Sequence, residues 1–388
     1  ECDDAHTKIV KEILEICNYS QKRALCFAEN EKGRTILRRA TPKCKLELRK
    51  ALRFVGRYEF IGSGGTDSEN GIKLFEALDF GTDEDPIEEG QRVLLQYYNN
   101  HNVFLEAQSV LQSINYDSTL LVPMRFFHVH EQDSSSKSQN QHCIAIYNAT
   151  LTLSEIISSM DRNNCRSEYE RLNRYIAKLR KVFRVIGEGI YHLHQQGVVH
   201  GHINADSCGK FDDGWKLMDL IGAQHMGKSM SIQRIKKAAP PEAIQVVAVG
   251  RTNKVSIHAQ LPASASIDIW GFGKLMYEVL VGKQIFPVDS HKTIDEDENF
   301  LRNLKNWDED SLGIVVAEID EAGAGTLAAD LISHCLCPFP EHRPKSMKEI
   351  LSHPYWNEND SQMTKNIKRR SRGGPAAASA PIKRRFQA

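Results

Sequence analysis

The sequence predicts a two-lobed α+β fold, with a small strand-rich lobe followed by a larger helical one. Three observations carry this. The chain has 388 residues, more than one compact core usually holds. Strand-period alternation dominates between residues 57 and 147. From residue 150 onward the apolar positions recur at helical spacing instead. Hydrophobic residues at 41% and charged residues at 26% fit a globular chain. No apolar run approaches the roughly 18 residues of a membrane span.

The elements follow in order. Residues 1–55 form a helical extension, with Ile9, Ile13, Leu14 and Cys17 at helical spacing. Pro42 opens a second helix whose apolar positions are Leu46, Leu48, Leu52 and Phe54. The small lobe spans 56–148. It starts with strands over 58–62 and 71–80 around a glycine-rich turn, then an acidic loop over 83–89. A strand over 93–98, a helix over 103–114 and strands over 120–128 and 143–147 complete a five-stranded sheet, with a polar insert at 130–141. The large lobe spans 149–358. Its longest helix covers 169–196 and places Leu172, Ile176, Leu179, Val182, Ile186, Ile190 and Leu193 on one face. Residues 359–388 are a basic tail predicted to be disordered.

Net charge is zero, but it is unevenly spread. Lys365, Lys368, Arg369, Arg370, Arg372, Lys383, Arg384 and Arg385 face no acid after Asp360. The tail is therefore strongly basic and the rest equally acidic. A basic tail fits a localisation or phosphate-binding signal, or simply a solvated end. The nine cysteines show no paired C-x-x-C spacing for zinc.

Five landmarks in the second half then resemble the protein-kinase fold. Residues 191–194 followed by Gly197-Val-Val-His200-Gly-His202 resemble the end of the kinase E helix and the catalytic loop. Lys216-Leu-Met-Asp219 resembles the strand bearing the metal-binding Asp. Ala239-Pro-Pro-Glu242 resembles the A-P-E signature, and Asp268-Ile-Trp-Gly-Phe-Gly273 the start of the F helix. Arg343-Pro344 and Ile350-Leu-Ser-His-Pro354 resemble the closing helices. The resemblance implies a bilobal kinase-like fold over residues 56–357. It also implies scaffolding roles: Asp268 holding the catalytic-loop backbone, and Glu242 paired with Arg343 in a buried ion pair.

The same alignment finds the chemistry dismantled. Phosphoryl transfer needs a third-strand Lys, a C-helix Glu, two metal-binding groups and a base. The third-strand position falls on Gln96, and no Lys occurs from Leu74 to Ser136. Glu106 is the candidate C-helix acid. His202 stands at the position of the catalytic Asp, Asn204 at that of the catalytic-loop Lys, and Ser207 at that of the second metal ligand. Asp219 remains, but its motif reads Asp219-Leu-Ile221. The phosphate loop keeps Gly62 and Gly64, yet Asp67 replaces the third glycine and Glu69 follows. Negative side chains there repel a triphosphate. No nucleotide, metal or other cofactor is expected.

The His200-Gly-His202 triplet and the helical extension resemble the rhoptry kinase family of apicomplexan parasites, whose pseudokinase members carry this triplet. The resemblance implies a secreted protein acting at the parasitophorous vacuole, its wall or the host interface. It implies a catalytically silent scaffold or allosteric partner that binds proteins, not nucleic acid. The long interval between Glu242 and Asp268 marks an insert over 244–263, read as a partner surface or a decorative loop. Two rival readings are a nucleotide-binding switch retaining Asp219, and an active kinase using Lys73 on the second strand in place of the missing Lys.

Overall fold

The computed structural model describes residues 2–16, 21, 22, 25, 26, 28, 34–61, 66, 67, 72–82, 85–98, 100–122, 124–130, 140–159, 169–231, 238–249, 252–257, 260–287, 292 and 296–357. The chain divides into two compact units, Glu1–Thr150 and Leu151–Ala388. The basic tail after Asn357 and the glycine turn at 62–65 lie outside the described residues.

The first unit opens with α1 (Cys2–Ile16), α2 (Ile36–Arg39) and α3 (Pro42–Ala51). Pro42 sits at the start of α3, where its missing N–H costs nothing, and the Thr41 hydroxyl accepts from Cys44 N. Leu14, Cys26 and Leu48 form a small shared core, and Lys11 pairs with Glu47 at 3.5 Å. The expected apolar stripe is rotated. Ile9, Ile13 and Leu46 are exposed, while Val10 and Leu14, one turn apart, face the core. Cys17 lies outside the described residues.

A six-stranded antiparallel sheet follows. It contains β1 (Tyr58–Phe60), β2 (Thr66–Asp67), β3 (Ile72–Gly81) and β4 (Pro86–Tyr98). The helix α4 (His101–Ser113) precedes β5 (Met124–His130) and β6 (Asn140–Tyr147). The order is β1-β3-β4-β6-β5, with β2 pairing on β3. The short β2 makes it one strand larger than the sequence suggests. The acidic loop is shorter than expected, because Pro86 already opens β4 and Ile87, Glu88 and Glu89 are strand. Gly81 makes the tight reversal before it at φ +74, where a Cβ would meet the Asp85 carbonyl oxygen at 2.1 Å. His130, Asn140 and Gln141, expected in the polar insert, pair across β5 and β6.

The two faces of this sheet carry different cores. Val93, Leu95 and Tyr97 of β4 share one face with Ala77, Cys143 and Ala145. That face is covered by Phe54 and Tyr58, and Phe54 meets Tyr97 at 5.4 Å between ring centroids. The other face carries Gln96 and Tyr98, and α4 covers it through Phe104, which meets the Tyr98 ring at 5.5 Å. The end of the extension thus docks on the side away from α4. A buried clasp reinforces the join: Arg57 donates to both carboxylate oxygens of Asp79, at 2.5 and 2.7 Å. Asp79 also accepts from Gly81 N and from Tyr147 Oη.

The second unit begins with β7 (Leu151–Thr152), α5 (Leu153–Ser159) and α6 (Tyr169–Gln195). Short strands follow: β8 (Val198–Val199), β9 (Cys208–Phe211), β10 (Gly214–Leu217), β11 (Gln224–His225) and β12 (Ser229–Ser231). The 244–263 segment is not an irregular loop. It forms a hairpin of β13 (Ile244–Val249) and β14 (Thr252–Ile257), then β15 (Gln260–Pro262), which pairs with β12. Helices α7 (Ala265–Val281), α8 (Glu298–Lys305), α9 (Glu309–Glu321), α10 (Thr326–Cys335) and α11 (Met347–Leu351) complete the unit. The hairpin packs against α8. The core centres on α7, which is buried continuously from Ile267 to Val279. Its Trp270 meets Trp307 edge-on at 5.6 Å. No helix among the described residues is long and apolar enough to cross a membrane.

Candidate functional site

In the second unit, Asp268 at the start of α7 organises the loop after β8. Its Oδ1 accepts from Gly201 N at 2.7 Å, and its Oδ2 from His200 N at 2.8 Å. His194, at the end of α6, also bonds Asp268 Oδ2 through Nε2 at 2.9 Å. Sequence reasoning assigns no role to His194. The only available signal is its place at the helix end, six residues before His200.

His200 is fully buried and bonds the Met218 carbonyl through Nε2 at 3.0 Å. Its Nδ1 accepts from His202 N at 3.1 Å. The two bonds fix the neutral tautomer with the proton on Nε2. Burial holds the His200 pKa below that of a free imidazole, outweighing the nearby Asp268 and Asp219. The buried ring therefore ties the loop to the end of β10.

His202, expected at the position of the catalytic Asp, turns its Nδ1 to Asp219 Oδ2 at 3.2 Å. Both side chains are partly exposed, at 22% and 32%. Asp219 stands in the left-handed region at φ 63, which Asp tolerates better than most residues. Asn204 is consumed locally: its Nδ2 donates to His202 O and its Oδ1 accepts from Asp206 N. Ser207 is fully buried. Its hydroxyl donates to Asn204 O and accepts from Asn204 N, closing a capping box on its own turn. The donor set does not fit the two magnesium ions of phosphoryl transfer. One ligand position offers only this internally bonded hydroxyl, and the other already holds an imidazole.

Glu242 and Arg343 form a bidentate ion pair, with Nη1 and Nη2 each 2.8 Å from a carboxylate oxygen. Arg343 also donates to the carbonyls of Cys337, Ser266 and Pro338 and stacks over Trp270. Its side chain is fully buried.

In the first unit, Gln96 is 1% exposed, and its Oε1 meets no hydrogen-bond partner among the described residues. The face of α4 turned inward carries Phe104, Ala107, Val110 and Leu111, all apolar, while Glu106 is exposed. No acid from that face reaches the sheet. Lys73 is exposed and lies opposite Tyr97 in the register, whereas Gln96 lies opposite Leu74. Lys73 thus belongs to the face away from α4. Asp67 pairs with Lys73 along the backbone of β2 and β3. Gly62 and Gly64 lie outside the described residues.

This order of elements and the Asp268-held loop define a kinase-type large lobe. The protein kinase domain model matches residues 127–356, more than half of the chain, and the chain belongs to the protein kinase domain family. The match begins within β5, so Gln96, Glu106 and the phosphate loop precede it. No curated protein matches the chain.

Proposed function

We propose that this protein kinase domain is a pseudokinase that does not transfer phosphate and acts by binding other proteins, as a scaffold or an allosteric regulator. The observation that carries the reading is the contact between His202 and Asp219. The carboxylate that would hold a metal instead bonds the side chain standing at the position of the base. Three further features support it. Ser207 closes its own turn, Gln96 is neutral and buried, and Lys73 lies on the wrong sheet face to replace a third-strand Lys. General-base help is worth only about 10²–10⁴-fold, so losing the Asp alone would leave residual activity. The losses act on the same phosphates and compound.

The His200-Gly-His202 triplet and the helical extension support membership of the rhoptry-type pseudokinases of apicomplexan parasites. That reading makes the protein secreted, at work at the parasitophorous vacuole, its wall or the host interface. The β13–β14 hairpin, inserted between Glu242 and Asp268, is the proposed partner surface. No nucleic acid or cofactor enters this function.

Thermal-shift titration with ATP, with and without Mg²⁺, is the direct test. A ligand at 100 times its Kd adds roughly 2.7 kcal/mol of stability, so binding would register. No shift and no phosphate transfer to a generic substrate are expected. A clear shift at low micromolar ATP would instead favour a nucleotide-operated switch. Phosphate transfer abolished by His202→Ala would overturn the reading altogether.

A further inference from the structure

The chain after Asp219 runs back past the His200–His202 loop and is held on both sides. On one side β11 pairs with β8, and Met226 N donates to Gly197 O at 2.8 Å. On the other side β12 pairs with β15, the last strand of the 244–263 insert. Gly227 N donates to Ala263 O, and Ala263 N to Lys228 O, each at 2.8 Å. The Ser229 hydroxyl adds a bond to Gln260 Oε1 at 2.6 Å. A two-stranded ladder thus ties the end of the insert to a segment that borders the loop.

Met230 joins that ladder to the loop itself. Lys228 and Ser229 are exposed, whereas Met230 is only 3% exposed, so β12 turns this side chain inward. Its thioether lies against Gly201. Gly201 stands at φ +77, and a Cβ there would meet Met230 Sδ and Cε at 2.7 Å and the Gly222 carbonyl oxygen at 3.2 Å. Arginine is expected at this place in a kinase triplet; glycine leaves the space that Met230 fills. An unbranched thioether suits so irregular a gap. The loop it touches is the one fixed by Asp268 through His200 N and Gly201 N, and its next residue, His202, meets Asp219.

We propose that Met230 is a latch through which the insert controls the His200–Asp219 arrangement. While β15 is paired with β12, Met230 stays seated on Gly201 and the loop keeps its closed form. Drawing β15 away unseats the thioether and frees the loop, because packed contacts of this kind switch rather than stretch. β15 begins three residues after β14 ends. A protein bound to the β13–β14 hairpin therefore acts next to the latch. Only this trigger rests on the reading of the hairpin as the partner surface. The latch is a property of the chain alone.

The test is amide hydrogen exchange on the full chain, with the fold of each variant checked by circular dichroism. Met230→Ala should quicken exchange at His200, Gly201 and His202 about 10-fold or more. Met230→Leu keeps the volume and should retain slow exchange. Ala263→Pro removes the N–H that bonds Lys228 O and should quicken the same three amides. Met347→Ala removes another buried methionine, on α11, and should leave them unchanged. Loop amides unmoved by Met230→Ala, or quickened equally by Met347→Ala or Met230→Leu, overturn the latch. Loop amides unmoved by Ala263→Pro overturn the control by β15. No partner enters this experiment, so a failure of the latch is read separately from a failure of the partner-surface reading.

Discussion

Lys73 and Gln96 stand on neighbouring strands of one sheet but on opposite faces. Lys73 lies opposite Tyr97 in the register, while Gln96 lies opposite Leu74 and faces the α4 side. One register step separates a solvated cation from a buried amide. Lys73 therefore does not reach the face on which Gln96 is buried.

This relationship sets an expectation for repair. Gln96→Lys would bury an ammonium at a position that is 1% exposed, on the sheet face that α4 covers with apolar residues. It should cost on the order of 3 kcal/mol and restore no phosphate transfer. Gln96→Met removes a buried oxygen that lacks a partner, so it should stay within about 1 kcal/mol of the parent or exceed it. Urea denaturation of both variants measures this. A Lys variant as stable as the Met variant would contradict the apolar surroundings assigned to Gln96.

The Glu242–Arg343 pair gives a second expectation. Glu242→Ala strands a guanidinium that is fully buried, and three backbone carbonyls compensate it only in part. The loss should be about 3–5 kcal/mol. The Glu242→Ala/Arg343→Met double variant should recover some of it, with a coupling energy of about 0.5–3 kcal/mol. Strictly additive losses would mean that the pair does not act as a unit.

Phe54 tests how the extension stabilises the small lobe. It is 5% exposed and packs on Phe60 and Tyr97. Phe54→Ala should cost about 3–5 kcal/mol, and a chain starting at Val55 should melt lower. Because Phe54 lies on the face away from α4, hydrogen exchange should quicken in β1 and β3 before α4. Earlier loss of protection in α4 would place the docking on the other face.

Much of the large lobe is legible in the sequence because its signals are local or strongly periodic. The α6 stripe from Ile176 to Leu193 repeats at 3.6 residues over about five turns, and motifs such as Asp268-Ile-Trp-Gly fix chain landmarks. The small lobe reads less well. Ile9 and Ile13 fit a helical stripe as well as Val10 and Leu14 do, and only tertiary packing decides which edge is covered. The same limit hides the 244–263 hairpin, since its valines at 246, 247 and 249 allow either a loop or a ladder until register is known. Glu106 fails for a related reason. Helical spacing does not say which side of α4 meets the sheet, and Phe104, Ala107 and Leu111 take that side. The His202–Asp219 contact needs two loops brought together, 17 residues apart in sequence.

The buried His200 makes stability depend on pH in a defined direction. In the folded chain its ring is neutral, and burial lowers its pKa. In the unfolded chain it titrates near 6.5. Between that value and the lower folded one, the unfolded state binds more protons, so stability falls as pH falls. The slope from this one group is at most about 1.4 kcal/mol per pH unit. Above about pH 7 the contribution is constant. His200→Gln cannot titrate, so it should lack this component. The stability of the parent relative to the variant should shrink as pH is lowered from about 7.5 to 5.5, measured by chemical denaturation at each pH. A difference that stays constant across this window would mean that His200 is not held neutral, and the tautomer assigned to it would be wrong.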